Sequence, residues 1–152
     1  MKLGLFTMPL HPPGSSQSET YQNDLDMVAK MDELGLDEIW VGEHLLLPWE
    51  NMPAPDLFIS RALGVTERIF FGTGVVLLHL HNPIVVAHRI AMLDHLAQGR
   101  LYFGIGSGGS PSELQMLGID TDKGSPRDRM AESIDLILQL WENGLGDFKG
   151  RF

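Results

Sequence analysis

Apolar residues along this chain fall into short runs, separated by segments in which they recur every three or four positions. Each run is bounded by proline, glycine or charged residues, which is typical of buried strands. Four runs predict strands: Leu3–Met8, Ile39–Gly42, Ile69–Leu78 and Leu101–Ile105. The third run is rich in β-branched and aromatic residues, as expected for a strand buried on both faces of a parallel sheet.

The segments between these runs carry helix start and stop signals. Ser16, with Glu19 three residues later, predicts a capping box, and Asp56 predicts the cap of a short helix. Gly35 and Gly99 follow apolar-periodic segments and predict helix ends. Helices are therefore expected over residues 16–35, 56–63, 82–97 and 112–117 and from residue 125 onward, the last with the apolar stripe Met130, Ile134, Ile137, Leu138 and Trp141.

Strand and helix alternate four times, which indicates parallel strands joined by right-handed crossovers. Two closures fit this order: an open doubly wound sheet or a (βα)8 TIM barrel. A full barrel takes about 250 residues. The 152 residues of this chain are therefore expected to form one partial α/β domain, a half barrel of about four βα units. Its open strand edges would need a second chain or a further segment to cover them.

Composition narrows the range of functions. The formal net charge is −9, which argues against nucleic acid or an anionic membrane as the main partner. The chain has no cysteine, so disulfides, thiolate metal sites and a cysteine nucleophile are excluded. The apolar run after Met1 is too short for a signal peptide, and no stretch approaches about 20 apolar residues. These features predict a soluble, cytoplasmic protein.

The end of the second predicted strand carries Glu43 and His44. Barrel enzymes keep their chemistry at the carboxyl ends of the strands, so His44 is a candidate general base that Glu43 orients. A structural hydrogen bond by His44 is the alternative. The segment Leu45–Pro55, which contains three prolines, predicts a long loop that covers the site.

A glycine-rich segment, Gly104–Gly109, follows the fourth predicted strand and matches G-x-G-x-x-G. A dinucleotide site would need a long helix next and an acidic residue about 20 positions on. Pro111 stands where that helix should begin, and no acidic residue ends a following strand there. The segment is better explained by close approach of its backbone to a flavin ring or a neighbouring strand.

Two further pairs have ordinary explanations. His79 and His81 lack a third ligand, so no metal site is expected. Ala87 and Ala91 are four residues apart on one predicted helix and would allow close approach of another helix. A dimer contact and ordinary helix-on-sheet packing both fit that pair.

Taken together and in order, these motifs strongly resemble the bacterial luciferase-like, flavin-dependent monooxygenases. The motifs are Ile39-Trp40-Val41 with Glu43-His44, residues 69–78 (IFFGTGVVLL), His81-Asn82-Pro83, residues 91–96 (AMLDHL) and residues 99–106 (GRLYFGIG). The resemblance covers nearly the whole chain and implies a barrel of eight units. It also implies reduced FMN, supplied by a separate flavin reductase, which reacts with O2 and a small organic substrate.

The resemblance assigns roles by position. His44 matches the histidine that assists as an acid/base group near the flavin. Thr73, Gly74 and Val75 match the strand end that backs the isoalloxazine ring, where a non-prolyl cis peptide is often found. The flavin pocket would also be lined by Gly106, Ser107 and Gly108.

This chain departs from luciferases at two points. They have a cysteine and an arginine where this chain has Gly106 and Ser107, and the family's main phosphate-binding residues follow the fifth strand, beyond Phe152. The leading hypothesis is a flavin-dependent monooxygenase or its amino-terminal half. The alternatives are a deazaflavin-dependent oxidoreductase of the same fold and an inactive half barrel that persists as a homo-oligomer.

Overall fold

A computed structural model describes residues 1–108, 110–144 and 146–152. The chain groups into two compact units. The first consists of Met1–Val76 with Leu93–Gly104, and the second of Leu77–Met92 with Ile105–Phe152. We describe each unit separately.

Six strands and five α-helices alternate along the described residues. In chain order they are β1 (Gly4–Thr7), α1 (Gln17–Leu34), β2 (Glu38–Val41), α2 (Pro55–Leu63), β3 (Phe70–Thr73), β4 (Val76–Leu77), α3 (Pro83–Ala97), β5 (Leu101–Tyr102), β6 (Ile105–Gly106), α4 (Pro111–Met116) and α5 (Pro126–Asn143). Short 3-10 turns occupy Leu78–Leu80 and Thr121–Lys123. No helix within the described ranges is long and apolar enough to cross a membrane.

The first unit is built on a parallel sheet in the order β1-β2-β3-β5. This confirms the parallel β/α alternation that the sequence predicts. Leu5, Ile39, Phe71 and Leu101 lie side by side in one row of the sheet. This row contributes to a core formed with apolar residues of α1 and α2, among them Leu25, Val28, Met31, Phe58 and Ile59.

Local signals place the ends of most helices correctly. Ser16 Oγ accepts the Glu19 amide at 3.4 Å, and Gly35 ends α1 with a φ of 80°. Asn82 Oδ1 accepts the amides of Ile84 and Val85 at the start of α3. These polar groups satisfy amides and carbonyls that have no partner within the helix itself.

The predicted cap of α2 is wrong. Ala54 stands at the cap position without a side-chain hydrogen bond, and Asp56 is the second residue inside the helix. Pro55 begins α2, because its fixed φ suits the first helical position and its missing N–H is not needed there.

The third and fourth predicted strands are each interrupted. β3 ends at Thr73, the peptide bond between Gly74 and Val75 is cis, and pairing resumes in β4. Thr73 Oγ1 donates to the Gly104 carbonyl at 2.7 Å and accepts the Gly104 amide at 2.9 Å. The β3–β5 ladder ends before this contact, at Gly72 and Tyr102, and the Gly104 carbonyl also accepts the Val76 amide at 2.9 Å.

In the second unit, the end of β4 and β6 belong to a two-stranded sheet. Ser125 and Asp128 form a capping box at the start of α5. Trp141 Nε1, near the end of α5, donates to the buried Ala87 carbonyl at 3.0 Å. At Ala87, α3 therefore contacts another helix of the same chain, which is neither the dimer contact nor the helix-on-sheet packing that the sequence analysis offers for the alanine pair.

Candidate functional site

The carboxyl ends of neighbouring strands in the first unit are tied together by backbone hydrogen bonds. The Gly42 amide donates to the Thr7 carbonyl at 3.0 Å, and the Gly74 amide donates to the Val41 carbonyl at 2.7 Å. The residues that follow β1, β2 and β3 therefore share one edge of the sheet. In barrel enzymes this edge carries the chemistry.

His44 lies at this edge, two residues beyond Gly42. Its backbone amide donates to the Met52 carbonyl at 3.0 Å, and its Nε2 lies 3.1 Å from a carboxylate oxygen of Glu50. Nδ1 of His44 is buried and has no hydrogen-bond partner among the described residues. One nitrogen of the imidazole, Nε2, therefore faces a carboxylate. The other, Nδ1, has no partner among the described residues.

Glu43, the carboxylate that the sequence predicts for orienting His44, is buried. A carboxylate oxygen of Glu50, a residue that the sequence analysis does not single out, lies 3.1 Å from His44 Nε2. Glu50 belongs to the β2–α2 loop, residues 42–54. Its signal in the sequence is that it is the one charged residue between Leu45 and Pro55.

The β2–α2 loop is anchored from outside at two positions, one on each side of Glu50. The His11 amide donates to the Trp49 carbonyl at 2.7 Å, and the Tyr21 hydroxyl donates to the Asn51 carbonyl at 2.7 Å. Met52, which follows, is buried in the core of the first unit. The segment around Glu50 is therefore held on both sides.

Both anchoring residues are themselves fixed. His11 is buried and its Nε2 lies 2.7 Å from Asp24 Oδ2, while its ring meets the Tyr21 ring edge-on at 5.0 Å. Burial raises the pKa of Tyr21, and the neighbouring Asp24 carboxylate raises it further. The phenol thus stays protonated and remains a donor to the loop.

Thr73, which the sequence assigns to the cofactor, is fully buried, and its hydroxyl is engaged by Gly104. Gly104 cannot carry a side chain, because a Cβ there would overlap the Thr73 carbonyl. This glycine therefore serves the approach of a neighbouring strand, one of the two explanations offered for the glycine-rich segment.

The glycines at this edge make room for side chains of the protein. A Cβ on Gly42 would overlap the Met8 side chain, and a Cβ on Gly74 would lie 3.1 Å from the Phe6 ring. The groups at this edge that fit a flat, mostly apolar ring with polar edges, such as isoalloxazine, are therefore the 59% exposed Phe6 ring and Nδ1 of His44, which has no partner among the described residues.

The second unit holds the other predicted cofactor residues. Gly106 and Ser107 are half-buried and Gly108 is exposed, while Gly109 lies outside the described residues. The helix that follows, α4, has only six residues and begins with a capping box between Ser110 and Glu113. A dinucleotide-binding turn would need a longer helix here.

The second unit also contains a cavity of about 400 Å³ lined by residues of the 78–83 segment, α5 and the 148–152 segment. His79 and His81 belong to this lining, and none of the eight predicted site residues does. Within the described part of the chain, no group of three His, Cys, Asp or Glu residues could hold a metal ion.

Known proteins share both the sequence and the fold. The chain is 43% identical over 140 residues to 4-hydroxyprotoasukamycin monooxygenase of Streptomyces nodosus subsp. asukaensis, covering 92% of this chain and 37% of that protein. It is 31% identical over 134 residues to an F420-dependent glucose-6-phosphate dehydrogenase of Amycolatopsis mediterranei, covering 84% of this chain and 40% of that protein.

A solved structure matches almost the entire chain. It is the oxygenating constituent of 3,6-diketocamphane monooxygenase of Pseudomonas putida, a type II Baeyer-Villiger monooxygenase in complex with FMN. The TM-score is 0.93 at 30% identity, over 99% of this chain and 42% of that one.

These matches define the class of fold: an α/β chain that corresponds to about half of a luciferase-like TIM barrel. The family model described as luciferase-like monooxygenase matches residues 1–152. The chain belongs to this family. It spans about two fifths of the length of the relatives it matches.

Proposed function

We propose that this chain contributes to a flavin-dependent monooxygenase that uses reduced FMN and O2 on a small organic substrate. The observation that carries the proposal is the near-complete structural match to an FMN-bound oxygenating constituent. The partners would be the substrate, O2 and a separate flavin reductase, since the matched protein is the oxygenating constituent of its system.

Reduced FMN, when bound, supplies the electrons that activate O2. The chain's own residues would bind and orient it. Gly74 and Val75, which follow β3, would lie against the flavin ring. The cofactor roles of Gly106, Ser107 and Gly108 rest on the family resemblance alone. Thr73 would act indirectly, since its hydroxyl fixes Gly104 and its backbone leads into Gly74.

His44 would hold or move a proton at Nδ1, the nitrogen that has no hydrogen-bond partner among the described residues. Glu43, the buried residue before it in the chain, would help to orient the imidazole. The β2–α2 loop would keep water from the reacting atoms, because water in the site would let the reduced flavin be oxidised without oxygenating the substrate.

The test is an anaerobic titration of the chain with reduced FMN, followed by fluorescence. We expect saturable binding with a dissociation constant of about 10 μM, and slower reoxidation of bound flavin when O2 is admitted. His44→Ala should change the reoxidation time course, and His88→Ala, an exposed histidine of α3, should not. A folded chain that shows no binding at about 100 μM flavin would contradict the proposal.

A deazaflavin-dependent oxidoreductase is the second candidate, supported by the match to an F420-dependent dehydrogenase. The same titration with reduced deazaflavin separates the two. Preferential binding of the deazaflavin, with hydride transfer and no consumption of O2, would replace the monooxygenase proposal.

A non-enzymatic role is the third candidate, supported by the exposed apolar residues of β1 and its flanks: Leu3, Leu5, Phe6 and Leu10. In this role the chain would pair with a second copy as a homo-oligomer. Sedimentation of the purified chain tests the oligomeric state. The cytoplasmic location is tested by fractionating cells that express the protein.

A further inference from the structure

We propose that Glu50 is the positioning residue for His44: its carboxylate holds the imidazole in the Nε2–H tautomer, which makes Nδ1 the acceptor offered to the ligand. This inference rests on the proposed function of His44. It adds Glu50 to Glu43 as a group that orients the ring.

The charge beside Nε2 decides which nitrogen of a neutral ring carries the proton. An ionised carboxylate can only accept hydrogen bonds, and a neutral imidazole has one donor and one acceptor nitrogen. Glu50 Oε2 lies 3.1 Å from His44 Nε2, within ion-pair distance. In a neutral ring this carboxylate favours the proton on Nε2, and Nδ1 then keeps its lone pair.

The environment of Nδ1 agrees with a role toward a ligand. This atom is buried, and no described residue bonds to it. A buried acceptor that the protein leaves unpaired is unusual. A donor group of a bound ligand can approach it without displacing a protein partner.

The backbone around Glu50 is fixed, because the residues on both sides of it form hydrogen bonds to other parts of the first unit. The Trp49 carbonyl accepts from the His11 amide, and the Asn51 carbonyl accepts from the Tyr21 hydroxyl, each at 2.7 Å. The Glu50 carbonyl itself accepts the Met52 amide at 3.0 Å. Such support from surrounding bonds is what a preorganised functional group requires.

The ordinary explanation is that the His44–Glu50 pair only fastens the β2–α2 loop. The two explanations differ in what happens when the loop is loosened but the carboxylate kept. Tyr21→Phe removes the hydroxyl that bonds to Asn51 and leaves both members of the pair in place. Glu50→Gln keeps the size of the side chain and removes its charge.

The experiment is nitrogen NMR of the ¹⁵N-histidine-labelled chain at a pH where histidine is neutral, with His44 assigned from the signals lost in His44→Phe. We expect the wild type and Tyr21→Phe to show the Nε2–H tautomer. In Glu50→Gln the ratio of the two tautomers should fall by about tenfold, since a charged acceptor is lost. Glu50→Asp should recover part of the preference.

Two results would overturn the proposal: an Nδ1–H tautomer in the wild type, or an unchanged ratio in Glu50→Gln. A collapse of the tautomer preference in Tyr21→Phe equal to that in Glu50→Gln would show that the loop rather than the carboxylate sets the ring, and would also overturn it. The reduced-FMN titration is independent of this readout. A chain with the expected tautomer that binds no flavin would refute the proposed function and leave the positioning inference standing.

Discussion

The two faces of the four-stranded sheet in the first unit differ sharply. On one face, Ile39, Val41 and Phe71 are fully buried beneath α1 and α2. On the other face, Phe6, Trp40 and Tyr102 lie in one row with Gly72 between the last two, and each of the three aromatic rings is at least partly accessible. The first face has a finished core, whereas the second is open.

The open face is nevertheless ordered. The Trp40 and Tyr102 rings stack with centroids 5.6 Å apart and planes at 3°. They meet across Gly72, where a Cβ would overlap the indole ring of Trp40. In a closed barrel one face of every strand points into the interior. The helix-facing side of the sheet therefore supplies stability. The aromatic side has a shape suited to contacts that the sheet does not make by itself.

The largest expected effect is on the closed face. Phe71→Ala should lower the free energy of unfolding by about 4 kcal/mol, because it leaves a cavity beneath two helices. Chemical denaturation followed by circular dichroism measures this loss. A loss of less than about 1.5 kcal/mol would mean that the helix-facing core does not dominate the stability.

Replacing Asp32 should have the next largest effect on stability, because its side chain connects the end of α1 to the residues that precede β3. Its carboxylate accepts the amides of Glu67, Arg68 and Ile69 at 2.8, 3.0 and 2.7 Å. Burial acts to raise the pKa of Asp32, but the three amides and the Arg68 charge outweigh it, so the pKa is lowered. Asp32→Asn should cost about 2–3 kcal/mol.

The lowered pKa of Asp32 also predicts a pH dependence. A carboxyl group that ionises more easily in the folded state stabilises the fold above its unfolded pKa of about 3.9. This contribution should be lost as the pH falls through the folded-state value. Asp26→Asn, at an exposed position of α1, is the matched control. Equal acid sensitivity of wild type and Asp32→Asn would contradict the assignment.

Gly104→Ala tests the close contact between Gly104 and Thr73, the last residue of β3. The added Cβ would overlap the Thr73 carbonyl, and backbone cannot move aside as a side chain can. We expect a loss of about 2 kcal/mol from this overpacking. Gly64→Ala is the control, because its φ of −74° is helical and its Cβ would be 3.4 Å from the nearest atom. Comparable losses in the two variants would show that the effect is not steric.

The sequence predicted the features that depend on neighbours along the chain. Parallel strands follow from the alternation of runs and helices, and α1 starts at Ser16 because its hydroxyl reaches an amide three residues away. The predicted start of α2 at Asp56 is wrong, although Pro55, which suits a first helical position, carries the better signal. The strand end singles out His44, whereas the cofactor roles of Gly74 and Gly106 come from the resemblance.

Features that depend on distant contacts were not predictable in this way. Where the predicted third and fourth strands are interrupted, Thr73 bonds to Gly104, 31 residues away along the chain. The partner of His44 is six residues further along, in a loop whose course depends on His11 and Tyr21. No local pattern specifies such a course, because the loop has no regular period.

Phe6→Ala should have the smallest effect on stability. It tests directly whether the aromatic face of the sheet is open in solution. Phe6 is 59% exposed, so its truncation removes little buried surface and should cost less than about 1 kcal/mol in the isolated chain. A loss as large as that of Phe71→Ala would mean that the open face is covered in solution. Sedimentation of wild type and Phe6→Ala would then show whether a second copy covers it, since a covering copy should dissociate at higher protein concentration in the variant.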